Sequence, residues 1–450
     1  MFKKIQNIIE KSEDENLEFD NRYTATTKDK IKKRKKHYQI LGLFEKFISE
    51  NKRVIKEMQH SKNRAKAMNY YDELFTTNKA FKELSALKKK GKKIIGTFCN
   101  MVPEELIYAA DAIPIRLCSG CNEAVKPAEE AYPRDACPLI KASFGFAVAD
   151  CGFFNLCDAV IIPSTCDGKK KLGEMLNDYV YVWMMNLPQD KERNLSKKYW
   201  LSETRILKKR LEELTGKSIT RKKLKQAILL LHKRDDLVRR LMKIRKSNMP
   251  NILGSDAFLV IQAAFFDNIE RWIKKTHELC TELETSIKHE KRVKPKQAIR
   301  ILVTGAPMIL PNFKVPDIIE SLNAFIAMDE TCAGSQYVYD PVEVDEWNTL
   351  DMMRAISERY LMPSMCPCFI KAEDRIDKLI NMIKEYRIDA VVYHTLRLCL
   401  LFDIESLKIR DVMEEQGIPF LHINTDYGKE DKEQLRTRIE AFIELVEARK

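Results

Sequence analysis

With 450 residues, 45% of them hydrophobic, the chain is long enough for two or three domains with sizeable cores. It has no run of 18 apolar residues, which excludes a transmembrane helix, and its opening stretch MFKKIQNIIEKSEDENLEFD is too charged for a signal peptide, so the expected compartment is the cytoplasm. The net charge of +12 is uneven: residues 1–90 carry 23 Lys and Arg against 13 Asp and Glu, residues 191–300 carry 29 against 13, and the rest carries 26 against 40.

Residues 1–90 read as a basic helical extension without cysteine, with apolar residues every three or four positions among Lys and Arg, as in DKIKKRKKHYQILGLFEKFI. From Lys93 the pattern changes to a strand (Ile94–Thr97), a helix from Pro103 to Ala110, and a second strand around Ile115. Pro103 followed by Glu104 and Glu105 suits a first helical turn, where the missing N–H is harmless and carboxylates favour the dipole. CDAVIIPSTCDG reads as a buried strand ending in a cysteine loop, and DYVYVWMM as a further strand, completing an α/β domain over 91–194. Residues 195–297 form a basic helical insert. A second α/β domain over 298–450 contains the strands of AIRILVTGAPM, FIAMDETC, DAVVYHT and IPFLHINTDY, and closes on the helix KEQLRTRIEAFIELVEAR.

Strands alternating with helices imply parallel βαβ units. The expected fold is therefore α/β: two Rossmann-like domains with parallel sheets flanked by helices, plus the helical extension and the helical insert. For the two basic segments, a solvated face or a protein-docking face is the commoner outcome, and nucleic acid is not the expected partner.

In a reducing compartment, twelve cysteines are core residues or metal ligands rather than disulfides. Ligands of open parallel sheets collect at the carboxyl ends of the strands. Cys99, Cys166, Cys332 and Cys399 all follow strands, and Cys137 in DACPLIK opens a helix, where N–H groups stabilise a thiolate. Cys366 and Cys368 in SMCPCF stand one residue apart, too close for a comfortable disulfide and well placed for a soft metal. Cys151, Cys157 and Cys280 have apolar neighbours and read as packed side chains. Cys118 and Cys121 form a CxxC without a second pair at zinc-finger spacing, which is weak support for zinc. Thiolates converging from two domains are what an iron–sulfur cluster needs, whereas zinc usually takes paired local ligands. LTGKSIT resembles the tail of a Walker motif, but Leu211 stands where its first Gly should be, so no P-loop is expected.

The segments GTFCNMVPEELIYAADAIPIRL, CPLIKASFG, DAVIIPSTCDGKKK, LEELTGKSITRKKLKQAI, ILVTGAP and TDYGKEDKEQLRTRIEAFIE run in order from about residue 90 to the C-terminus. In them the chain resembles the 2-hydroxyacyl-CoA dehydratase and benzoyl-CoA reductase family of iron–sulfur proteins. The resemblance implies one [4Fe–4S] cluster on Cys137, Cys166 and Cys399, with one iron left open. The extra Cys332, Cys366 and Cys368 are similar to those of the double-cubane cluster proteins, a branch of the same family. They imply a second three-legged cubane and a double-cubane [8Fe–9S] cluster, with Cys99 in reserve for either triad. LLFD, after Cys399, is more apolar than the family's turn at that point.

The implied function is reduction of a small substrate with low-potential electrons from a separate ATP-hydrolysing iron–sulfur activator. Two alternatives stand beside it: a dehydratase subunit with one [4Fe–4S] cluster acting on an acyl-CoA, and a non-catalytic iron–sulfur electron carrier. A homodimer and a heterodimer with a sister subunit both fit. Glu104 and Glu105, the carboxylates nearest a cysteine loop, and His394, five residues before Cys399, are the catalytic candidates. Each also has a structural reason for its place, at a helix start or a strand end.

Overall fold

The computed structural model describes residues 42–450 apart from residues 59, 60, 150, 339 and 372, so the first 41 residues of the expected basic extension lie outside the described residues. The described part of that extension is helical: α1 (Leu43–Glu57), α2 (Met68–Thr76) and α3 (Lys79–Lys89). The first α/β unit runs β1 (Ile94–Thr97), α4 (Glu104–Ala109), β2 (Ile113–Arg116), α5 (Val125–Ala128), α6 (Pro138–Val148), β3 (Ala159–Pro163), α7 (Asp167–Leu176) and β4 (Val182–Met185). The insert follows as α8 (Asn194–Thr215), α9 (Arg221–Arg245), α10 (Gly254–Ala263) and α11 (Ile269–Lys288). The second unit runs β5 (Ile299–Gly305), α12 (Lys314–Ser321), β6 (Ala324–Glu330), α13 (Thr349–Leu361), α14 (Glu373–Tyr386), β7 (Ala390–Leu396), α15 (Leu400–Glu415), β8 (Phe420–Thr425) and α16 (Lys432–Ala448).

The strands form two all-parallel sheets of four, ordered β2-β1-β3-β4 and β6-β5-β7-β8. The order is the same in both. β1, β3, β6 and β7 are buried along their whole length, as continuous apolar strands covered on both faces must be. The strand order reverses between β1 and β3 and again between β5 and β7, so each sheet has a topological switch point at the carboxyl ends of its strands. Gly305 closes the second one tightly: at φ +107° any Cβ there would stand 2.1 Å from the His394 carbonyl oxygen.

The insert supplies cover and clamps. α8 buries Trp200, Thr204, Leu207 and Leu211, one stripe at helical spacing, so Leu211→Ala would cost about 2–5 kcal/mol. TGKS is the turn that joins α8 to α9: Gly216 ends α8 in the left-handed region at φ 66°, and Thr220 caps α9 by accepting from Lys223 N. A P-loop follows a strand; this stretch follows a helix. The basic charge of α9 is only partly on a solvated face. Arg234 and Arg245 are buried, Arg234 on Glu104 and Asp235, and Arg245 on Asp329 at 2.9 Å. These pairs tie the insert to both units. No helix among the described residues is long and apolar enough to cross a membrane.

Candidate metal centre between the two sheets

The carboxyl ends of both sheets are lined with thiols. From the first unit, Cys99 follows β1, Cys118 follows β2 and Cys166 follows β3 as the N-cap of α7, while Cys137 is the N-cap of α6. From the second, Cys332 follows β6 and Cys399 follows β7 as the N-cap of α15, with Cys366 and Cys368 in the loop after α13. All eight are partly buried, and no two cysteines of the chain form a disulfide. Cys99 and Leu398, the residue before Cys399, hold positive φ angles of 59° and 62°. Two of the thiol loops thus carry a conformation that costs roughly 1 kcal/mol or more and recurs at functional sites.

Mutual electrostatics link the thiols into two overlapping groups, with Cys166 of the first also within reach of Cys366 of the second. In the first, Cys137 and Cys399 stand side chain to side chain, each shifting the other's titration. Cys137 is shifted downward, first by its hydrogen bond with the Cys399 thiol and then, against burial, by the N–H groups of Ile140 and Leu139 in the first turn of α6. Cys399 is pushed up correspondingly, and Cys166 stands within electrostatic reach of both. In the second group, burial raises the Cys332 thiol and the nearby Cys99, Cys118 and Cys366 raise it further, with Arg116 opposing. Cys99 is pushed up to about 12, again by burial first, while its Sγ lies 3.6 Å from Thr165 Oγ1. Cys366 is raised by its hydrogen bond with Cys368 and then by burial. Among the described residues no three His, Cys, Asp or Glu side chains are placed to hold a single metal ion.

Lys169 joins the two groups. It is 4% exposed, its ammonium has no hydrogen-bond partner, and it sits 4.0 Å above the Phe98 ring. Burial works against its charge, but the thiols of Cys118, Cys99, Cys166 and Cys137 together overcome it and hold the ammonium above its usual range. A buried cation without an acceptor is costly, and the thiols nearest Lys169 offset that cost only once they are ionised. The site therefore fits an anionic group held by several thiolates on different atoms, as an iron–sulfur cluster is, better than it fits a lone ion. Tyr427, with an unpartnered hydroxyl, and Arg116, whose Nη1 donates to the Cys332 carbonyl at 2.9 Å, complete the surround.

The comparisons with known proteins span the same stretch of chain. Residues 99–446 match the family model described as 2-hydroxyglutaryl-CoA dehydratase, D-component. The chain belongs to this family. It is 33% identical over 363 residues, 80% of its length and 93% of the relative's, to YjiM of Escherichia coli (strain K12), a protein named provisionally as a dehydratase subunit. It is 22% identical over 363 residues (80% and 93%) to the (R)-phenyllactyl-CoA dehydratase beta subunit of Clostridium sporogenes. To a benzoyl-CoA reductase subunit of Thauera aromatica it is 20% identical over 384 residues (84% and 96%). Within the dehydratase D-component match lie all the thiols of the cleft, since it starts at Cys99; α1–α3 fall outside it.

The three catalytic candidates are all buried. Glu104 accepts from Arg234 and from the Tyr337 hydroxyl, linking α4 to α9 and to the second unit. Glu105 leaves Oε2 unpartnered, and burial raises its pKa against the pull of Arg359. His394 lies on β7, its Nδ1 2.9 Å from the Ala306 carbonyl and its Nε2 without a partner. Cys157 and Cys280 pack in the core, with weak S–H contacts to the carbonyls of Phe153 and Leu237. Cys151 is partly buried and packs against that core. Sequence reasoning passed over Lys169, Arg116 and Tyr427, and weighed Cys118 only as half of a CxxC. For Lys169 a signal existed: Lys169, Leu172, Gly173 and Leu176 are the buried stripe of α7, and the spacing singles out one lysine of the three in CDGKKK.

Proposed function

We propose that this D-component family member is an iron–sulfur reductase of the double-cubane type, acting on a small substrate with electrons from a separate ATP-hydrolysing iron–sulfur activator. The observation that carries the reading is the pairing of two thiol groups around one buried ammonium. Cys137, Cys166 and Cys399 are the first ligand set. The second is drawn from Cys332, Cys366, Cys368 and the adjoining Cys99 and Cys118. When bound, such a group supplies low-potential electrons and an iron with an open position. The chain's own part is to hold the thiolates, to bring Lys169 between them as a fixed positive charge, and to keep water away with buried walls. ATP acts through the partner in this reading, consistent with TGKS being a helix–helix turn, and the compartment is the cytoplasm.

The names of the relatives favour a second reading, a subunit of an acyl-CoA dehydratase that works with a sister subunit and carries one [4Fe–4S] cluster. Iron and acid-labile sulfide per chain, measured on anaerobically purified protein and on a Cys366→Ser/Cys368→Ser double variant, separate the two. About eight irons falling towards about four supports the reductase; about four in both proteins removes it in favour of the dehydratase. Eight irons without turnover of any substrate in the presence of the activator would leave an electron carrier.

A further inference from the structure

Helix α15 is apolar on two opposite sides. One side packs on the second unit, where Glu405, Ser406, Ile409 and Met413 are buried. The other carries Leu400, Ile404 and Leu407, which are 66%, 67% and 52% exposed. Spaced by four and then three residues, these three lie in one row along the helix. At about 3.6 residues per turn, the row points away from Ile409 and Met413. Single apolar side chains on a surface are ordinary, but a contiguous row of them marks an interaction surface. The row starts next to Cys399, the N-cap of α15, and Leu398 before it is exposed as well. On its flank, Lys408 lies 3.6 Å from Glu373 at the start of α14. The row therefore runs beside the segment that leads from Cys366 and Cys368 into α14, where Ile370 is exposed too.

The charges beside the row decide what covers it. Asp403 and Arg410, two turns apart, flank it on one side with opposite signs, and their present contacts, 3.4 Å to His422 and 3.3 Å to Asp411, are too exposed to hold either firmly. Such a face is complementary to itself. We propose that α15 packs antiparallel on α15 of a second copy of this chain, about a two-fold axis that sets Ile404 of each copy against Leu407 of the other. In that register Asp403 of each copy lies beside Arg410 of the other, so two ion pairs fix the alignment. Parallel pairing would set the two Asp411 side chains against each other, since Asp411 continues the row two turns beyond Ile404. The antiparallel pair holds its two Cys399 residues about 20 Å apart along the helices and lays the carboxyl-terminal half of each α15 over the turn that carries Cys399 in the other copy. Each copy thus closes its partner's thiol loop from water. Only in calling this a cover for an iron–sulfur cluster does the inference rest on the function proposed above.

The test is sedimentation equilibrium of the anaerobic full-length protein from about 1 to about 50 µM, which reads the mass whatever the iron content. The wild type should weigh two chains. Ile404→Arg, at an exposed position, should keep its circular dichroism spectrum and weaken the dimer about a hundredfold. Leu407→Arg is the second variant if Ile404→Arg does not fold. Arg410→Glu should weaken the dimer about tenfold, and adding Asp403→Lys should restore it. The mass of one chain at the highest concentration overturns the second copy and leaves the row to a different protein. A dimer that both arginine variants leave intact overturns the surface, and a charge swap that restores nothing overturns the register. On iron-loaded protein, iron should be lost in air about tenfold faster from the dissociated variant than from the wild type. An equal rate overturns the cover, and a low iron content in an intact dimer would instead fault the reductase reading alone.

Discussion

The two α/β units share a strand order but not an inventory of side chains at the strand ends. Cys118 stands two residues beyond β2 and Cys332 two beyond β6; Cys166 stands three beyond β3 and Cys399 three beyond β7. In both units, then, the second and third strands end in a thiol at the same offset. The first strands differ. β1 is followed by Cys99 at φ 59°, whereas β5 ends on Gly305, where the backbone runs against β7 too closely for a side chain, and is followed by Ala306 and Pro307. The cation is also one-sided, since Lys169 stands three residues after Cys166 and the matching position, three after Cys399, is Phe402. A shared framework thus offers two thiols per unit, and what each unit adds makes the site asymmetric: Cys99, Cys137 and Lys169 from the first, Cys366 and Cys368 from the second.

The largest effect should come from breaking the matched pair Cys166 and Cys399. If these two serve one cluster across the cleft, Cys166→Ser and Cys399→Ser should lose the same iron, each retaining about half of some eight atoms per chain. Unequal losses would mean that the units hold separate sites. The matched pair Cys118 and Cys332 sharpens the point. Should Cys118→Ser lose iron as Cys332→Ser does while Cys368→Ser does not, the second ligand set follows the internal repeat rather than the Cys-Pro-Cys loop.

That last contrast bears on what the sequence could tell. The strands were legible because parallel strands buried on both faces are continuous apolar runs, and Ile94–Thr97 was bounded correctly on that basis. The helix starting at Pro103 was legible from its first-turn carboxylates. Cys118 was not, because a CxxC reads as a local pair. The fold splits that pair: Cys121 goes into the core at 0% exposed and Cys118 into the cleft. Local spacing says nothing of which wall of a cleft a side chain joins, and the matching offset beyond β6 appears only once both sheets are built. Likewise Glu104 and Arg234 are 130 residues apart, and their pairing follows from α9 crossing α4.

Removing the charge that joins the units is the next largest change. Glu104→Ala removes the cross-unit carboxylate from Arg234, leaving Asp235 as its acidic partner, and should cost about 1–3 kcal/mol in urea unfolding, because the buried Arg234 and Tyr337 donors lose their acceptor. Glu105→Ala should cost distinctly less, since its Oε2 has no partner to lose. Equal losses would show that burial of the α4 carboxylates, rather than the ion pair, is what matters there. Lys169→Met removes the one-sided cation. The iron content should hold while the reduction potential falls by on the order of 100 mV, the work of removing one charge a few ångströms away at an effective dielectric constant near 20. Lys169→Arg should restore most of that shift. An unchanged potential in the Met variant would make Lys169 a packing residue.

The smallest effect separates the units by pH. His394 is fully buried on β7, and burial first, with help from Lys314 and His422, lowers its pKa to about 4 against the upward pull of the Ala306 carbonyl. The unfolded chain takes up a proton near 6.5 and the native one does not until about 4, so between these values the unfolded state binds more protons and stability rises with pH. The contribution is complete above about 6.5 and is lost as pH falls towards 4, reaching about 2 kcal/mol by pH 5. His394→Asn keeps a donor for the Ala306 carbonyl without a titrating ring. Urea unfolding at pH 7 and pH 5 should therefore show a smaller acid loss in the variant by about that amount. The same acid loss in both proteins would place the sensitive group elsewhere, with Glu105 and Glu330 excluded by sign: burial raises their folded pKa, so falling pH favours the native state through them.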